Sequence, residues 1–232
     1  MLEELDYQQT PLGAISLRRR IEPRLNDRIV YEVIMNGEYL MSSLFYEAEV
    51  QLSYLGLASL RGEKLNVVVG GLGLGYTAAA ALEDDRVETL KVIDVMEPVI
   101  SWHLKGMVPM AKALTLDERC SLVHDDFFAW AMNDEIEQDS LDAILLDIDH
   151  SPEHWLNEAN EGFYSRKGLA AIKAKLKPGG VFGLWSDDEP DETFTRLLAS
   201  VFDEVEGSII SFENPYQETL STNGVYVAKK RS

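Results

Sequence analysis

The sequence lacks several features that would assign it to a class of protein. A single cysteine, Cys120, excludes an intramolecular disulfide and is typical of a reducing compartment. No apolar run approaches the roughly 18–20 residues that cross a bilayer, and the acidic opening MLEELDYQQTPLG contains no apolar signal segment. We therefore expect a cytoplasmic protein without a membrane partner, in which Cys120 is a buried bystander.

Basic residues are also scarce. The chain has 21 Lys and Arg against 40 Asp and Glu, which gives a formal net charge of −19. Such a field repels a phosphate backbone, so we expect no nucleic-acid partner, whereas a cationic substrate such as an amine is attracted. Solubility alone also explains an acidic surface. With 232 residues and 46% hydrophobic content, the chain can form one sizeable core.

From Lys64 onward, apolar strands alternate with helical stretches. The near-continuous hydrophobicity of the strands predicts a doubly wound α/β fold with a mostly parallel sheet covered on both faces. We expect parallel strands at 65–70, 88–95, 120–125, 142–147 and 180–185. We expect helices at about 76–84, 98–114, 127–137, 163–177 and 190–201. The segments 204–213 and 222–230 are predicted to form an antiparallel closing pair.

The first 60 residues have a different pattern. AISLRRRIEP and DRIVYEVIMNGEYLMSS, with the Asn36-Gly37 turn, predict short antiparallel strands joined by a hairpin. Apolar residues at helical spacing over 47–60 predict a helix. We therefore divide the chain into a small N-terminal β-hairpin and helix appendage, 1–60, and a Rossmann-like domain, 61–232.

A glycine-rich loop follows the first strand of the alternating region, in VVVGGLGLGYTAA. In a doubly wound sheet this first strand–helix turn usually forms part of the ligand site. Bare backbone lets a ligand lie against the chain, and the next helix offers free N–H groups. Gly70, Gly71, Gly73 and Gly75 are therefore predicted to bind a nucleoside, although such turns also serve tight strand–helix packing.

Acidic residues end the next two strands. Asp94 lies about 20 residues beyond the loop, the spacing at which a carboxylate accepts ribose hydroxyls; a helix cap is the alternative role. In HDDFFAW, Asp125 or Asp126 is predicted to accept from an adenine amino group. Phe127 or Phe128 would then pack against the ring, or else belong to the core.

Two more carboxylates, Asp147 and Asp149, end the fourth strand in LLDIDHSPEHW. In an extended chain they point the same way, and two carboxylates can hold an ammonium group and take its proton. His150 and His154 suggest a metal site, but Pro152 breaks the helix that would align them, so we expect no metal. A structural loop is the third interpretation.

Together these segments resemble the spermidine synthase family, whose members have the class I methyltransferase fold. VVVGGLGLGYT is similar to the family's GGGDGG cofactor loop, and VIDVMEPVI to its VEID-P-VV ribose strand. HDDFFAW resembles GDAFEW, LDAILLDIDHSP resembles YDVIIxDxxDP, and EGFYSRKGLAAIKAKLKPGGVFGLW resembles eFY…LkpGGil. TPLGAISL and MNGEYLMSS resemble its opening hairpin, so the likeness covers nearly the whole chain.

The departures from the family pattern fall in one half of the site. The acid of GGGDGG, which helps to hold the donor's amino group, is replaced by Gly73, and the glutamine of DGxxQ by Leu40. In the DxxDP motif the first acid is Asp147, and the second moves one place earlier to Asp149. The adenosine half is thus retained and the aminopropyl half is changed.

The resemblance implies a group transferase that uses S-adenosylmethionine or its decarboxylated form, and that works as a homodimer. It would transfer a methyl or aminopropyl group to a small amine, with Asp147 as base, Asp149 assisting, and Tyr46 or Trp185 shaping the pocket. A loop without an acid suits the carboxylate of intact S-adenosylmethionine. The alternatives are a non-catalytic nucleoside-binding or interaction protein and an NAD-dependent oxidoreductase, for which GGLGLG fits G-x-G-x-x-G only loosely.

Overall fold

Two β-sheets and seven α-helices make up the computed structural model, which describes residues 2–135, 138–217 and 219–231. The strands are β1 Leu2–Thr10, β2 Gly13–Glu22, β3 Arg28–Met35, β4 Glu38–Ser42, β5 Leu65–Gly70, β6 Val87–Asp94, β7 Cys120–His124, β8 Leu141–Leu146, β9 Leu176–Ser186, β10 Glu204–Phe212 and β11 Ser221–Lys229. The helices are α1 Glu47–Ala58, α2 Tyr76–Leu82, α3 Glu97–Leu104, α4 Ala111–Thr115, α5 Phe127–Met132, α6 Arg166–Lys175 and α7 Glu192–Ala199.

The larger sheet has seven strands in the order β10-β11-β9-β8-β5-β6-β7. Strands β5 to β9 pair in parallel, and β11 joins β9 and β10 antiparallel. This confirms the predicted doubly wound, mostly parallel sheet with an antiparallel closing pair. The chain leaves β5 toward β6 on one side and later returns to β8 on the other, so the strand order reverses beside β5.

The apolar strands of this sheet contribute to a core on each face. In β5, Val67 and Val69 pack on the face covered by α1 to α4, whereas Val68 packs on the face covered by α5 to α7. Alternate side chains of a strand point to opposite faces, so a strand buried on both faces needs apolar residues at every position. The unbroken VVV run is explained in this way.

The N-terminal sheet has four antiparallel strands in the order β1-β2-β3-β4. Sequence analysis missed β1, because its LEELDYQQT is mostly polar and acidic. Pairing with β2 places its glutamates beside the arginine run, and Arg19 Nη2 lies 2.5 Å from Glu3 Oε2. The sequence feature that indicates β1 is therefore the opposite charge of β1 and the arginine run of β2, not hydrophobicity.

Helix α1 packs against the large sheet although it belongs to the predicted appendage. A Cβ on Gly183 of β9 would lie 2.8 Å from Leu52 Cδ1, so the bare glycine permits this close approach. The Ser53 hydroxyl also donates to the Thr77 carbonyl of α2 at 2.6 Å. The division of the chain at residue 60 stays a prediction, with α1 contacting elements on both sides of it.

Several predicted helices are shorter or divided. The expected helix 98–114 is two helices, because Gly106 takes a φ of +69° between them. The segment 158–163 is a 3₁₀ helix ahead of α6, and β9 begins at Leu176. Helix α5 ends at Met132, and residues 136 and 137 of the predicted helix 127–137 lie outside the described residues. None of the helices in the described ranges is long and apolar enough to span a bilayer.

Candidate active site

A cavity of about 850 Å³ opens at the carboxyl ends of β5, β6 and β8. The reversal of strand order beside β5 forms a crevice there, since the two neighbouring connections leave in opposite directions. The N-terminal sheet and the β10–β11 pair supply the remaining walls, through residues such as Met41, Tyr39 and Asn223. Ligand cavities commonly have volumes of about 300–1,000 Å³, so this one suits a nucleoside-sized ligand with a second small molecule.

The glycine loop forms one wall of the cavity. Gly71, Gly73 and Gly75 line it with φ values of +94°, +47° and +92°, which residues with a Cβ rarely adopt. A Cβ on Gly71 would collide with the Asp147 carbonyl oxygen. Gly70 lies beneath the loop against Phe127 and does not line the cavity. The loop therefore packs tightly against its neighbours and also forms a wall of the cavity, while nucleoside binding by these glycines stays a prediction.

Asp94 holds the glycine loop through its carboxylate. Oδ2 accepts from the Leu72 N–H at 2.8 Å, and Oδ1 accepts from the Met96 N–H, at the start of α3, at 2.7 Å. Burial raises the pKa of Asp94, and hydrogen bonds from Met96, Leu72 and Gly73 oppose that shift. Asp94 also lines the cavity. Asp94 is not the cap of α3: it lies two residues before the N-cap residue Met96, and no side chain caps that helix. The cap alternative is therefore wrong, and the ribose role stays a prediction.

The loop uses many of its own polar groups internally. Besides the bonds to Asp94, the Gly71 N–H donates to the Ile93 carbonyl at 2.9 Å and the Gly75 N–H to the Leu72 carbonyl at 2.8 Å. His103 Nε2 lies 3.0 Å from the Gly73 carbonyl oxygen, and its Nδ1 is buried without a partner among the described residues. Four N–H groups of the loop are thus unavailable to an incoming carboxylate.

The two acids that follow β7, Asp125 and Asp126, differ in their position relative to the cavity. Asp126 lines the cavity and caps α5, its Oδ1 accepting from the N–H groups of Phe128 at 2.8 Å and Ala129 at 3.2 Å. Asp125 accepts from the Asp126 N–H and lies outside the cavity lining. Both Phe127 and Phe128 line the cavity, with their rings edge to face at 5.6 Å. Of the two predicted acids, Asp126 lines the cavity and Asp125 does not.

Asp147 faces the cavity at the end of β8. Its Oδ2 accepts from the Thr77 hydroxyl of α2 at 2.6 Å. Burial raises the pKa of Asp147 to about 6, although the Thr77 hydrogen bond acts in the opposite direction. A carboxyl group with a pKa near neutrality can exchange a proton with a substrate under physiological conditions.

Asp149 points elsewhere, in contrast to the expected alignment of the two acids. Its carboxylate accepts from the Tyr164 hydroxyl at 2.8 Å, Asn160 Nδ2 at 3.0 Å and the Leu156 N–H at 2.7 Å. It is 2% exposed and does not line the cavity. Strand β8 ends at Leu146, so the alternation of an extended strand no longer applies. Asp149 anchors the following segment instead.

The two histidines also separate. His150 lines the cavity, whereas His154 is exposed, with Nδ1 3.0 Å from Ser151 Oγ and 3.6 Å from Asp188 Oδ2. Within the described ranges, no three His, Cys, Asp or Glu side chains gather in a way that could hold a metal ion.

Sequence analysis named Leu40 and Tyr46 of the N-terminal segment but missed Met41 and Glu49. Glu49 of α1 lines the cavity, and a Cβ on Gly73 would lie 2.8 Å from Met41 Sδ of β4. Tyr46 stacks on Tyr76 at 4.4 Å, and of these two Tyr76 lines the cavity. Trp185 lines it as predicted. A charged residue within the apolar pattern of α1 was the available signal for Glu49.

The charges of the cavity have one sign. Six carboxylates line it, and among the described lining residues there is no lysine or arginine. They are Glu49, Asp94, Asp126, Asp147, Glu158 and Asp187. Such a lining attracts cations and disfavours phosphates and carboxylates.

Known proteins resemble this chain in both sequence and structure. It is 25% identical over 169 residues to polyamine aminopropyltransferase 2 of Pseudomonas aeruginosa, an alignment covering 70% of this chain and 46% of that protein. The chain thus matches less than half the length of that relative. No protein-family model matches the chain.

Two solved structures share its fold. A spermidine synthase in complex with the transition state analogue AdoDATO gives a TM-score of 0.77 at 18% identity, over 98% of this chain and 73% of that one. Spermidine synthase from Thermotoga maritima gives 0.74 at 18% identity, over 98% and 72% of the two chains. At this identity the structural likeness establishes the fold, including the additional N-terminal sheet.

Proposed function

We propose that this chain, which resembles spermidine synthases in sequence and fold, transfers an aminopropyl group from decarboxylated S-adenosylmethionine to a small primary amine. The observation that carries the proposal is the acidic cavity at the point where strand order reverses. The donor is a sulfonium cation and the acceptor an ammonium ion in water, so both are attracted to the same lining. A pyridine dinucleotide brings phosphates, which this lining disfavours.

The adenosine end of the proposed site is formed by the glycine loop and two acids. Asp94 would accept from the ribose hydroxyls, since each carboxylate oxygen has lone pairs beyond the N–H bonds that it already accepts. Asp126 would accept from the adenine amino group, because its Oδ2 receives no hydrogen bond from the described residues. Phe128 would pack against the base.

The acceptor end is centred on Asp147. The amine nitrogen forms a bond to the propyl carbon while the carbon–sulfur bond breaks and its electron pair remains on sulfur, leaving a neutral thioether. An ammonium ion must first lose a proton, and Asp147 can take it because its pKa of about 6 is close to neutral pH. The enzyme's contribution is otherwise alignment of the two reactants.

Methyl transfer from intact S-adenosylmethionine is the second candidate. One observation favours it: position 73 has no acid for a donor ammonium, and Met41 packs there instead. The methionine carboxylate of this donor would find no basic residue among the described lining residues. Four N–H groups of the glycine loop could not bind it either, because they already donate hydrogen bonds within the protein. The balance of charge therefore favours the decarboxylated donor.

Calorimetry with S-adenosylmethionine, its decarboxylated form and NAD tests the proposal, followed by mass spectrometry of primary amines incubated with each donor. We expect the decarboxylated donor to bind most tightly and an amine to gain an aminopropyl group. Binding without transfer to any amine would support the non-catalytic alternative, and preference for NAD would refute both. Analytical ultracentrifugation tests the proposed homodimer.

A further inference from the structure

Glu49 is a carboxylate in the cavity without a partner. It lies in the first turn of α1 and is half-buried, with one side facing the cavity. Within the described residues its carboxylate accepts only from its own backbone N–H and forms no ion pair. A carboxylate taken this far from water is costly unless it is paired or protonated.

The charged groups that act on Glu49 are acidic. They are Asp147, at the end of β8, and Glu47 on the same helix; burial together with these charges raises the pKa of Glu49 well above its ordinary value. Tyr76 of α2 also faces it, and burial, with a smaller contribution from the charges of Tyr46 and Glu49, raises the pKa of Tyr76 to about 12. The charge of Arg28 and a hydrogen bond with Ser43 lower the pKa of Tyr76 in opposition to this rise. No cation is among the described groups that act on Glu49 or Asp147, so these two carboxylates lack a positive partner.

Hydrogen-bond donors are also scarce at this corner of the cavity. The Asp147 carboxylate receives one hydrogen bond from another described residue, Thr77, and both Glu49 and Asp147 line the cavity. Two carboxylates offer about eight lone-pair positions. The missing partner must therefore supply one positive charge and several N–H or O–H groups.

We propose that Glu49 and Asp147 together bind the ammonium group of the acceptor amine, which makes Glu49 a second catalytic carboxylate. The inference rests on the proposed function and adds a residue and a substrate class to it. A primary ammonium group carries one positive charge and three N–H donors, which match one bond to each carboxylate with a third left over. A quaternary ammonium has no such donor and is disfavoured.

The pair also completes the proton balance of the transfer. One N–H proton of the ammonium passes to the carboxylate pair, which leaves a neutral amine whose lone pair attacks the carbon bound to sulfur. The carbon–sulfur electron pair stays on sulfur, the product is a secondary ammonium ion, and the pair releases its proton to solvent. Two interacting carboxyl groups titrate as a unit, so either the Glu49 or the Asp147 carboxylate can receive the proton.

The test compares Glu49→Gln with Glu47→Gln, a control on the same helix outside the cavity lining. Amine binding is measured by calorimetry with n-butylamine on protein saturated with 5′-methylthioadenosine, and donor binding is measured separately. We expect Glu49→Gln to weaken butylamine binding about tenfold to hundredfold, the ratio that a lost charged hydrogen bond gives. Donor affinity should stay within about twofold, and Glu47→Gln should resemble the natural protein.

A structural role for Glu49 predicts a different set of results. Removing a half-buried, unpaired charge should leave Tm unchanged or raised, whereas a fold-stabilising carboxylate would lower Tm when replaced. Glu49→Asp keeps the charge on a shorter side chain and should lose an intermediate amount of amine affinity. Butyltrimethylammonium should bind the natural protein more weakly than butylamine.

The outcomes separate this inference from the proposed function. Butylamine affinity within twofold of the natural protein in Glu49→Gln, or an equal loss in Glu47→Gln, would overturn the role of Glu49 even if aminopropyl transfer occurs. Loss of donor binding in Glu49→Gln would assign the residue to the donor end and also overturn it. If amine binding depends on Glu49 but no aminopropyl group is transferred, the ammonium site is supported and the proposed transfer reaction is refuted.

Discussion

The Thr77 hydroxyl donates a 2.6 Å hydrogen bond to Asp147 Oδ2 and so joins the first turn of α2 to the end of β8. This is the one bond from another residue that the Asp147 carboxylate receives within the described chain. It favours the charged form of Asp147 and thereby limits the rise in pKa that burial causes.

Thr77→Val removes this hydroxyl while keeping the shape of the side chain. The pKa of Asp147 should then rise above about 6, so a smaller fraction is ionised at neutral pH and the acidic limb of the kcat/KM profile should move to higher pH. Thr77→Ser retains the hydroxyl and should keep the natural midpoint. An unchanged midpoint in Thr77→Val would show that Asp147 does not control that limb.

Asp147→Asn should abolish transfer and leave donor binding nearly intact. The pKa of Asp147 is raised in the folded state, so the folded protein binds a proton where the unfolded chain does not, and ionisation lowers stability as pH rises from about 4 to above 6. The variant should therefore show an equal or higher Tm at pH 8. Loss of donor affinity would instead make Asp147 a donor ligand.

Asp94→Ala should weaken donor binding at least tenfold, as expected for losing a charged acceptor. It should also lower stability by about 1–3 kcal/mol for each buried N–H left without an acceptor, because Leu72 and Met96 both donate to this carboxylate. Donor titrations well below Tm separate the two effects. Asp125→Ala, outside the cavity lining, is the control and should change neither quantity.

Gly71→Ala should destabilise the protein more than Gly62→Ala. Both glycines have positive φ, +94° and +106°, so both substitutions bring similar backbone strain. A Cβ at position 71 also meets the Asp147 carbonyl, whereas position 62 has open space within 4 Å. Thermal unfolding measures the difference, and equal losses would mean that the loop can move away from β8.

Asp149→Ala should lower Tm, in contrast to Asp147→Asn. It leaves the Tyr164 hydroxyl and the Asn160 amide without their acceptor, at a cost of about 1–3 kcal/mol for each buried donor. Where the variant still turns over, its pH profile should keep the acidic limb near pH 6, because Asp147 is untouched. If the acidic limb were lost, Asp149 would have a direct role in proton transfer after all.

The large sheet was predictable because its strands carry a strong and local signal. Each of β5 and β8 is a nearly unbroken apolar run, and the glycines and acids after them mark the edge where a ligand binds. Strand β1 was not predictable in this way, since its stability comes from pairing with a charged segment that follows it.

The candidate site was likewise predictable only where its residues follow a local sequence pattern. Spacing predicts that Asp94, Asp147 and either Asp125 or Asp126 lie near one edge, and Asp94, Asp126 and Asp147 line the cavity. Spacing failed for Asp149, because the direction of a side chain after a strand depends on where the strand ends. Glu49 comes from a helix about 100 residues earlier, and its approach to Asp147 depends on packing between α1 and the large sheet.

The Met41–Gly73 approach has a practical consequence for anyone who shortens the chain. A fragment starting at residue 61 would retain the glycine loop, Asp94, Asp126 and Asp147, yet it would lose Met41 and Glu49 and open one side of the cavity to solvent. Such a fragment would keep the glycine loop and the three acids by which the sequence marks a ligand site, while lacking one wall of the cavity.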